Sequence, residues 1–128
     1  MKDGSFPDAA LQDAVTRYCH ALHFADGAAL QALCNARFMM QWVGADGLDR
    51  AIDKAAFVAR VGGRSAAAGE PVFEILSVDA DNEMAQVKLN VSVPPRTYTD
   101  QLGFLRVAGS WQLMTKLFRV ADGPAMEV

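Results

Sequence analysis

The chain has 128 residues, 52% of them hydrophobic and 21% charged, a composition typical of one compact globular domain. Its 12 basic and 15 acidic residues form no basic run, so we expect neither nucleic acid nor an anionic membrane as a partner. No stretch resembles a signal peptide or a membrane span, which predicts a cytoplasmic protein. We expect one domain over residues 1–128, ordered from about residue 6 to residue 120 and followed by a frayed tail at 121–128.

The first part of the chain has the patterning of an amphipathic helix. Cap and first-turn residues predict a helix from Ser5 to about Ala25, and its apolar positions recur at spacings of three and four. This spacing points Tyr18 inward and both histidines, His20 and His23, outward. The predicted buried face consists of Leu11, Val15, Tyr18, Leu22 and Ala25.

Two shorter helices are expected next. Asp26 with Gly27 ends the first helix and can cap the second. Asp53 can cap a third helix that ends at Gly62 and Gly63, and the small-residue segment from Arg64 to Pro71 is expected to be mobile. The second helix should bury Leu30, Leu33 and Cys34, and the third Phe57, Val58 and Val61.

Three segments before the C-terminal region read as strands. They are Arg37 to Val43, Val72 to Asp79 and Met84 to Val93, with a loop predicted over residues 44–53. The first strand has Phe38, Met40 and Trp42 on one face. The third has its apolar face at Ala85, Val87, Leu89, Val91 and Val93.

A long β-hairpin closes the chain, with strands over Tyr98 to Val107 and Ser110 to Val120. A two-residue loop would force Ala108 to positive φ, so we predict a three-residue loop with Gly109 left-handed and Arg106 opposite Ser110. In this register Leu102 faces Met114 and Asp100 faces Lys116. The predicted inner face therefore holds a carboxylate and an ammonium among Leu102, Phe104 and Phe118.

The opposite face of the hairpin is predicted to be apolar as well. It would carry Leu105, Trp111, Leu113 and Leu117, so we expect this outer face to be covered in a homodimer. Helices followed by antiparallel strands predict an α+β fold, a curved antiparallel sheet with helices on its concave face and a cone-shaped cavity between them.

The sequence carries no nucleophile motif, glycine-rich phosphate loop or pair of catalytic carboxylates, so no cofactor is predicted. Cys19 and Cys34 lie in helical patterns and are expected to be free thiols. Although His20 and His23 lie close to Cys19 in sequence, spacing across two helices fixes no ligand geometry, and we predict no metal site.

Four short stretches, in order, resemble the nuclear transport factor 2-like superfamily. They are Tyr18 with Asp26 after seven residues, Ile75 to Asp79, Tyr98 to Leu102, and Gly109-Ser110-Trp111. The resemblance covers about Ala9 to Val120 and is closest to the bacterial branch labelled putative lumazine-binding. It implies the cone-shaped fold, but the superfamily includes isomerases, dehydratases, cyclases, hydrolases and non-catalytic binders.

Ketosteroid isomerases share this fold and place a tyrosine where Tyr18 lies. The resemblance puts their catalytic aspartate at about Met40, or Trp42 if the count shifts, and neither side chain accepts a proton. Their second acid falls nearer Leu102 than Asp100, and Lys116 is expected to favour ionised Asp100. The isomerase site is therefore not reproduced.

We predict a small-molecule-binding protein with an apolar pocket. The alternative is a cofactor-free isomerase, dehydratase or cyclase that acts on a hydrophobic carbonyl compound through Tyr18 and Asp100. Tyr18 has two readings, a hydrogen-bond donor to the ligand or a core aromatic with a protein partner, and Asp100 with Lys116 can be a pocket anchor or a structural pair. The candidate ligand-binding residues are Tyr18, Phe38, Met40, Trp42, Asp100, Phe104, Met114 and Lys116.

Overall fold

A computed structural model of the protein describes residues 5–126. Within that range it contains three helices and six strands, which confirms the predicted α+β class. Their bounds are α1 Ala9–His23, α2 Gly27–Leu33, β1 Cys34–Val43, β2 Asp49–Asp53, α3 Lys54–Gly62, β3 Phe73–Asp81, β4 Met84–Val93, β5 Arg96–Val107 and β6 Ser110–Asp122. The last two residues of the predicted tail lie outside the described residues.

Each helix begins at an aspartate whose carboxylate accepts a backbone N–H three residues later. Asp26 accepts from Ala29 at 3.0 Å and Asp53 from Ala56 at 3.0 Å, so both predicted caps are confirmed. Helix α1 begins later than predicted because Asp8, in extended conformation, is its cap, accepting from the Leu11 N–H at 2.7 Å.

The six strands form one curved, open sheet in the order β2-β1-β6-β5-β4-β3. Strands β1 and β6 pair in parallel, and the other neighbours pair antiparallel. The prediction of a loop over the whole of residues 44–53 is wrong, because Asp49–Asp53 pairs with Met39–Val43 as an edge strand. An edge strand is hydrogen-bonded on one side only, and this one buries no side chain fully, so it shows little apolar alternation.

The hairpin turn differs from the prediction. Val107 pairs with Ser110 across a two-residue loop in which Ala108 has φ of 49° and Gly109 has φ of 85°. Positive φ at both positions is the geometry that matches the twist of paired strands, and Ala108 tolerates it in spite of its Cβ. The predicted pairing of Arg106 with Ser110 is therefore wrong by one residue, since Arg106 lies opposite Trp111.

A β-bulge shifts the register a second time. Phe104 pairs with Leu113, whereas its neighbour Gly103 pairs with Thr115, leaving Met114 as the extra residue. Leu102 therefore lies opposite Lys116 rather than Met114, as the sequence had predicted. Asp100 likewise lies opposite Phe118 instead of Lys116.

The shorter turn exchanges the faces of β6 between the turn and the bulge. Trp111 and Leu113 are buried on the helix side, so their predicted place on the outer face is wrong. Leu105 and Leu117 remain exposed, by 39% and 51%.

The core lies between the helices and the inner face of the sheet. The predicted inward face of α1 is confirmed at Leu11, Val15, Tyr18 and Leu22, as is the alternating buried face of β4. His23 contradicts the outward prediction, because it is buried and its Nε2 lies 2.9 Å from the Gly69 carbonyl oxygen. His20 is exposed, as predicted.

Candidate functional site

Three polar side chains from α1, β5 and β6 meet in the core. The Tyr18 hydroxyl donates a hydrogen bond to Oδ2 of Asp100, and Lys116 Nζ lies 3.7 Å from the same oxygen. Tyr18 and Asp100 are completely buried, and Lys116 is 6% exposed. The fold thus brings together three of the residues that the sequence had suggested for the site. Lys116 lies opposite Leu102 and approaches Asp100 diagonally across the two strands.

Burial dominates the protonation of Asp100. It raises the pKa of this carboxyl above its usual value, while Lys116 and the Tyr18 hydrogen bond lower it by less. The expectation that Lys116 would favour the ionised form is therefore outweighed by desolvation. The second oxygen, Oδ1, is buried with no hydrogen-bond partner among residues 5–126, which also disfavours a full charge.

The Lys116 ammonium lies among aromatic faces. Its Nζ is 5.3, 5.0 and 5.1 Å from the ring centroids of Tyr18, Phe57 and Phe118. Burial lowers the pKa of Lys116, Asp100 raises it, and Arg64 lowers it further. Attraction to the rings offsets part of the cost of desolvating the ammonium.

Lys116 is part of the wall of a cavity between the helices and the sheet. The cavity volume is about 40 Å³, far below the roughly 300–1,000 Å³ of ordinary small-molecule pockets. Helices α1 and α3 and strands β1, β4, β5 and β6 contribute to its wall. The lining residues are Leu22, Met40, Phe57, Arg60, Val61, Arg64, Val93, Tyr98, Lys116, Phe118 and Met126.

The remaining predicted ligand-binding residues are distributed around this cavity or away from it. Phe38 packs behind the wall, with its ring stacked on Phe57 at a centroid distance of 5.1 Å. Trp42 tilts against Phe118 at 5.3 Å, and Phe104 is buried opposite Leu113. Met114 lies instead in a groove on the outer face of the sheet, because it is the bulge residue.

Arg60 and Arg64 were not among the predicted site residues, yet both line the cavity. Phe57, Arg60, Val61 and Arg64 follow the spacing i, i+3, i+4 and i+7 of one helical face. The first three lie within α3, and Arg64 lies just beyond its end. Helical spacing therefore places both arginines beside the apolar residues. This signal was present in the sequence.

The buried thiols lie near the three polar residues but are poor nucleophiles. Burial raises the pKa of Cys19 to about 12 and that of Cys34 to about 11. Both cysteines are free, as predicted. Across residues 5–126, no three His, Cys, Asp or Glu side chains come together in a way that would hold a metal ion.

A larger groove of about 570 Å³ lies on the outer face of the sheet, lined in part by Gly103, Leu105 and Met114. It is open and lies on the opposite face of the sheet from the buried Lys116 side chain, so we consider the smaller inner cavity the better candidate for a ligand site. The inner cavity is bordered by the buried Lys116 side chain, which lies 3.7 Å from Oδ2 of Asp100. None of the helices in the described part of the chain is long and apolar enough to cross a membrane.

Comparison with known proteins identifies the fold. A structure from Silicibacter pomeroyi, a nuclear transport factor 2-like protein of unknown function, matches with a TM-score of 0.80 and 24% identity, covering 88% of this chain and 93% of that one. A protein of the same description from Shewanella baltica matches with a TM-score of 0.82 and 15% identity, covering 89% of this chain and 93% of that one. A ketosteroid isomerase-like protein from Erwinia carotovora atroseptica matches with a TM-score of 0.71 and 18% identity, covering 91% of this chain and 99% of that one.

A search of curated proteins gives no significant match. The family model described as putative lumazine-binding matches residues 7–119, which include all three helices and nearly all of the sheet. The predicted resemblance to this branch of the nuclear transport factor 2-like superfamily is confirmed. This chain therefore belongs to the putative lumazine-binding family.

Proposed function

We propose that this protein binds a small molecule, without catalysis, in the inner cavity beside Lys116. The observation that carries the proposal is the buried Lys116 ammonium in the cavity wall, whose nearest carboxylate oxygen is 3.7 Å away. A buried charge is costly unless it is well paired, so proteins seldom retain one without a use. The family description, which names ligand binding, supports the same conclusion.

The cavity must widen to accept a ligand, and its wall contains residues suited to that. Met40 and Met126 are unbranched and repack readily, and Met126 belongs to the chain segment after β6. Arg64 belongs to the segment between α3 and β3, which has no regular secondary structure. Displacing Met126 and Arg64 would open a path to Lys116 without moving the sheet.

We assign Met40 and Lys116 to direct ligand contact, with Tyr18 and Asp100 as positioning residues that hold the ammonium. The Tyr18 hydroxyl already donates to Asp100, and Asp100 is not among the cavity-lining residues. Met40, on the first strand, supplies no general base. These features favour binding over the alternative of a cofactor-free isomerase, dehydratase or cyclase.

We also propose a homodimer formed through the outer sheet face and a cytoplasmic location. The interface would use the exposed apolar side chains Leu105, Leu117 and Met39 rather than the buried Trp111 and Leu113. The free, buried thiols of Cys19 and Cys34 fit a reducing compartment.

Methionine methyl groups offer a direct test of the site. In protein labelled with [¹³C-methyl]methionine, NMR titration with a library of small aromatic ketones, acids and amides should shift the Met40 and Met126 methyl resonances. The exposed Met39 and Met84 are internal controls that should not move. A library in which no compound binds, or in which binders shift Met84 but not Met40, would overturn the proposal.

A variant pair adds an independent measurement. Lys116→Met should change the affinity of any compound found in this way, whereas Lys88→Met, on the exposed face of β4, should leave it unchanged. Equal affinities for both variants and the unaltered protein would place binding elsewhere.

A further inference from the structure

Positive charge is in excess around the inner cavity. Three of its lining residues are cationic, Arg60, Arg64 and Lys116, and none of its lining residues within the described chain is acidic. Asp100 lies behind Lys116, at 3.7 Å, and offsets at most one of the three charges.

Within the described part of the chain, neither guanidinium group has a carboxylate partner. No acidic side chain among residues 5–126 lies within 4.0 Å of either group as an ion-pair partner. Arg60 instead lies over the Trp42 ring, with its Cζ 5.2 Å from the centroid. Burial lowers the pKa of Arg64 and Arg60 lowers it further, while Arg64 lowers the pKa of Lys116, so neighbouring cations of the cavity repel each other.

We propose that the ligand is an organic carboxylate, with its anionic group held by Arg60 and Arg64 and its apolar body in contact with Phe57 and Phe118. This inference rests on the proposed function and names the class of ligand. An arginine fork binds a carboxylate through two parallel hydrogen bonds, a match that a neutral carbonyl group does not offer.

The burial of the lining residues sets the orientation of this ligand. Arg60 and Arg64 have exposed side chains, whereas Phe57 and Val61 are buried. The carboxylate therefore lies at the outer end of the cavity, where it is partly hydrated, and the apolar body points inward. Binding relieves the repulsion among the cations and buries apolar surface in one step.

A matched pair of probes separates charge from shape. The carboxylate 2-naphthoate and the uncharged 2-naphthamide are both flat and nearly equal in size. By isothermal titration calorimetry near neutral pH and low salt, 2-naphthoate should bind roughly tenfold more tightly than 2-naphthamide, because its hydrogen bonds from arginine are charge-assisted.

Two single substitutions test the arginines. Arg60→Gln and Arg64→Gln should each weaken the binding of 2-naphthoate by about threefold to tenfold. The affinity for 2-naphthamide should not change, since a glutamine side chain still forms hydrogen bonds but carries no charge. Arg119→Gln, an exposed position on the outer face of β6, is the control and should alter neither affinity. Thermal melts of all three variants verify that they fold.

The outcomes distinguish this inference from the proposed function. If both probes bind with equal affinity and shift the Met40 methyl resonance, the charge preference is wrong and the binding function stands. If 2-naphthoate binds more tightly than 2-naphthamide but its affinity is unchanged in Arg60→Gln and Arg64→Gln, as in Arg119→Gln, the assignment to these arginines is overturned. If neither probe binds and the wider library also fails, both proposals fall.

Discussion

Tyr18 and Asp100, 82 residues apart in the chain, share a hydrogen bond in the core in which the phenolic hydroxyl donates to Oδ2 of the carboxyl. This bond connects the first helix to the centre of the sheet. The bond occupies the hydroxyl that the sequence analysis had considered as a donor to a ligand. Among residues 5–126, the polar side chains that reach Asp100 are Tyr18 and Lys116.

Replacing Tyr18 by Phe should destabilise the protein by about 1–3 kcal/mol, because Asp100 loses a buried donor and keeps its desolvation cost. Urea unfolding measures the change. Tyr98→Phe is the matched control. Within the described part of the chain its hydroxyl donates to the weak acceptor Sδ of Met126, at 3.6 Å, and we expect a smaller loss of stability there. Equal losses for the two variants would contradict the role of the Tyr18 hydroxyl.

Asp100→Asn should change how stability depends on pH. The folded pKa of Asp100 lies above its usual 3.8, so folding favours the protonated carboxyl. The stability that Asp100 contributes is then fully present below the unfolded pKa and is lost as pH rises through the folded pKa. The free energy of unfolding of the unaltered protein, relative to Asp100→Asn, should fall as the pH rises from about 4 through the folded pKa of Asp100. A rise over this range would show that the carboxyl is stabilised in its charged form.

Lys116→Met should lower the free energy of unfolding by about 3–5 kcal/mol, because it leaves the buried Asp100 carboxyl without its cation. The double variant Lys116→Met with Asp100→Asn should recover most of that loss, since both charges are then gone. Chemical denaturation of the two single variants and the double variant gives the coupling free energy. Additive losses would mean that the 3.7 Å pair does not couple the two residues.

Gly103→Ala should destabilise the sheet at the bulge. A Cβ at this position would lie 2.6 Å from Thr115 Oγ1, which forces the threonine side chain to move. We expect a cost of about 1–3 kcal/mol for such overpacking. Adding Thr115→Ala removes the clashing hydroxyl and should restore stability, and a double variant as unstable as Gly103→Ala alone would point to backbone strain instead.

Leu117→Lys tests the proposed dimer. This leucine is 51% exposed at the centre of the outer face, and a charge there would be buried in an interface between two copies. Light scattering at micromolar concentration should show a dimer for the unaltered protein and a monomer for Leu117→Lys. Glu74→Lys, on the exposed side of β3, is a control for charge alone. A monomeric unaltered protein would contradict the proposal.

The sequence was informative where local chemistry decides structure. The aspartate caps at Asp26 and Asp53 and the alternation along Met84–Val93 were read correctly, because each depends on residues within one turn or one strand. The strand Asp49–Asp53 was missed because its pairing with β1 uses backbone groups that no side-chain pattern reports.

The register of the closing hairpin shows how two one-residue errors can restore the predicted face of a strand. The turn is one residue shorter than predicted, and the bulge at Met114 adds one residue on the same strand. A shift of one residue reverses the faces, which is why Trp111 and Leu113 were misplaced, whereas a shift of two restores them. Asp100 and Lys116 therefore share a face even though they are not direct partners.

Two residues that line the candidate cavity, Met40 and Lys116, were among the predicted ligand-binding residues. Arg60 and Arg64 were not, because an exposed arginine is usually interpreted as facing solvent. Their place at the cavity depends on how α3 packs on β1, a tertiary relationship that the spacing of residues along the helix restricts but does not determine.

The position of β6 in the sheet has a consequence for synthesis of the chain. Among the described strands, β6 is made after the other five, and it joins the β2-β1 pair to β5, β4 and β3. A ribosome-bound chain that lacks Ser110–Asp122 would hold two separate sheet fragments, each with an open edge, and an Asp100 without its lysine. Completion of the sheet must therefore await synthesis of β6, and until then both edges are open to pairing with other chains.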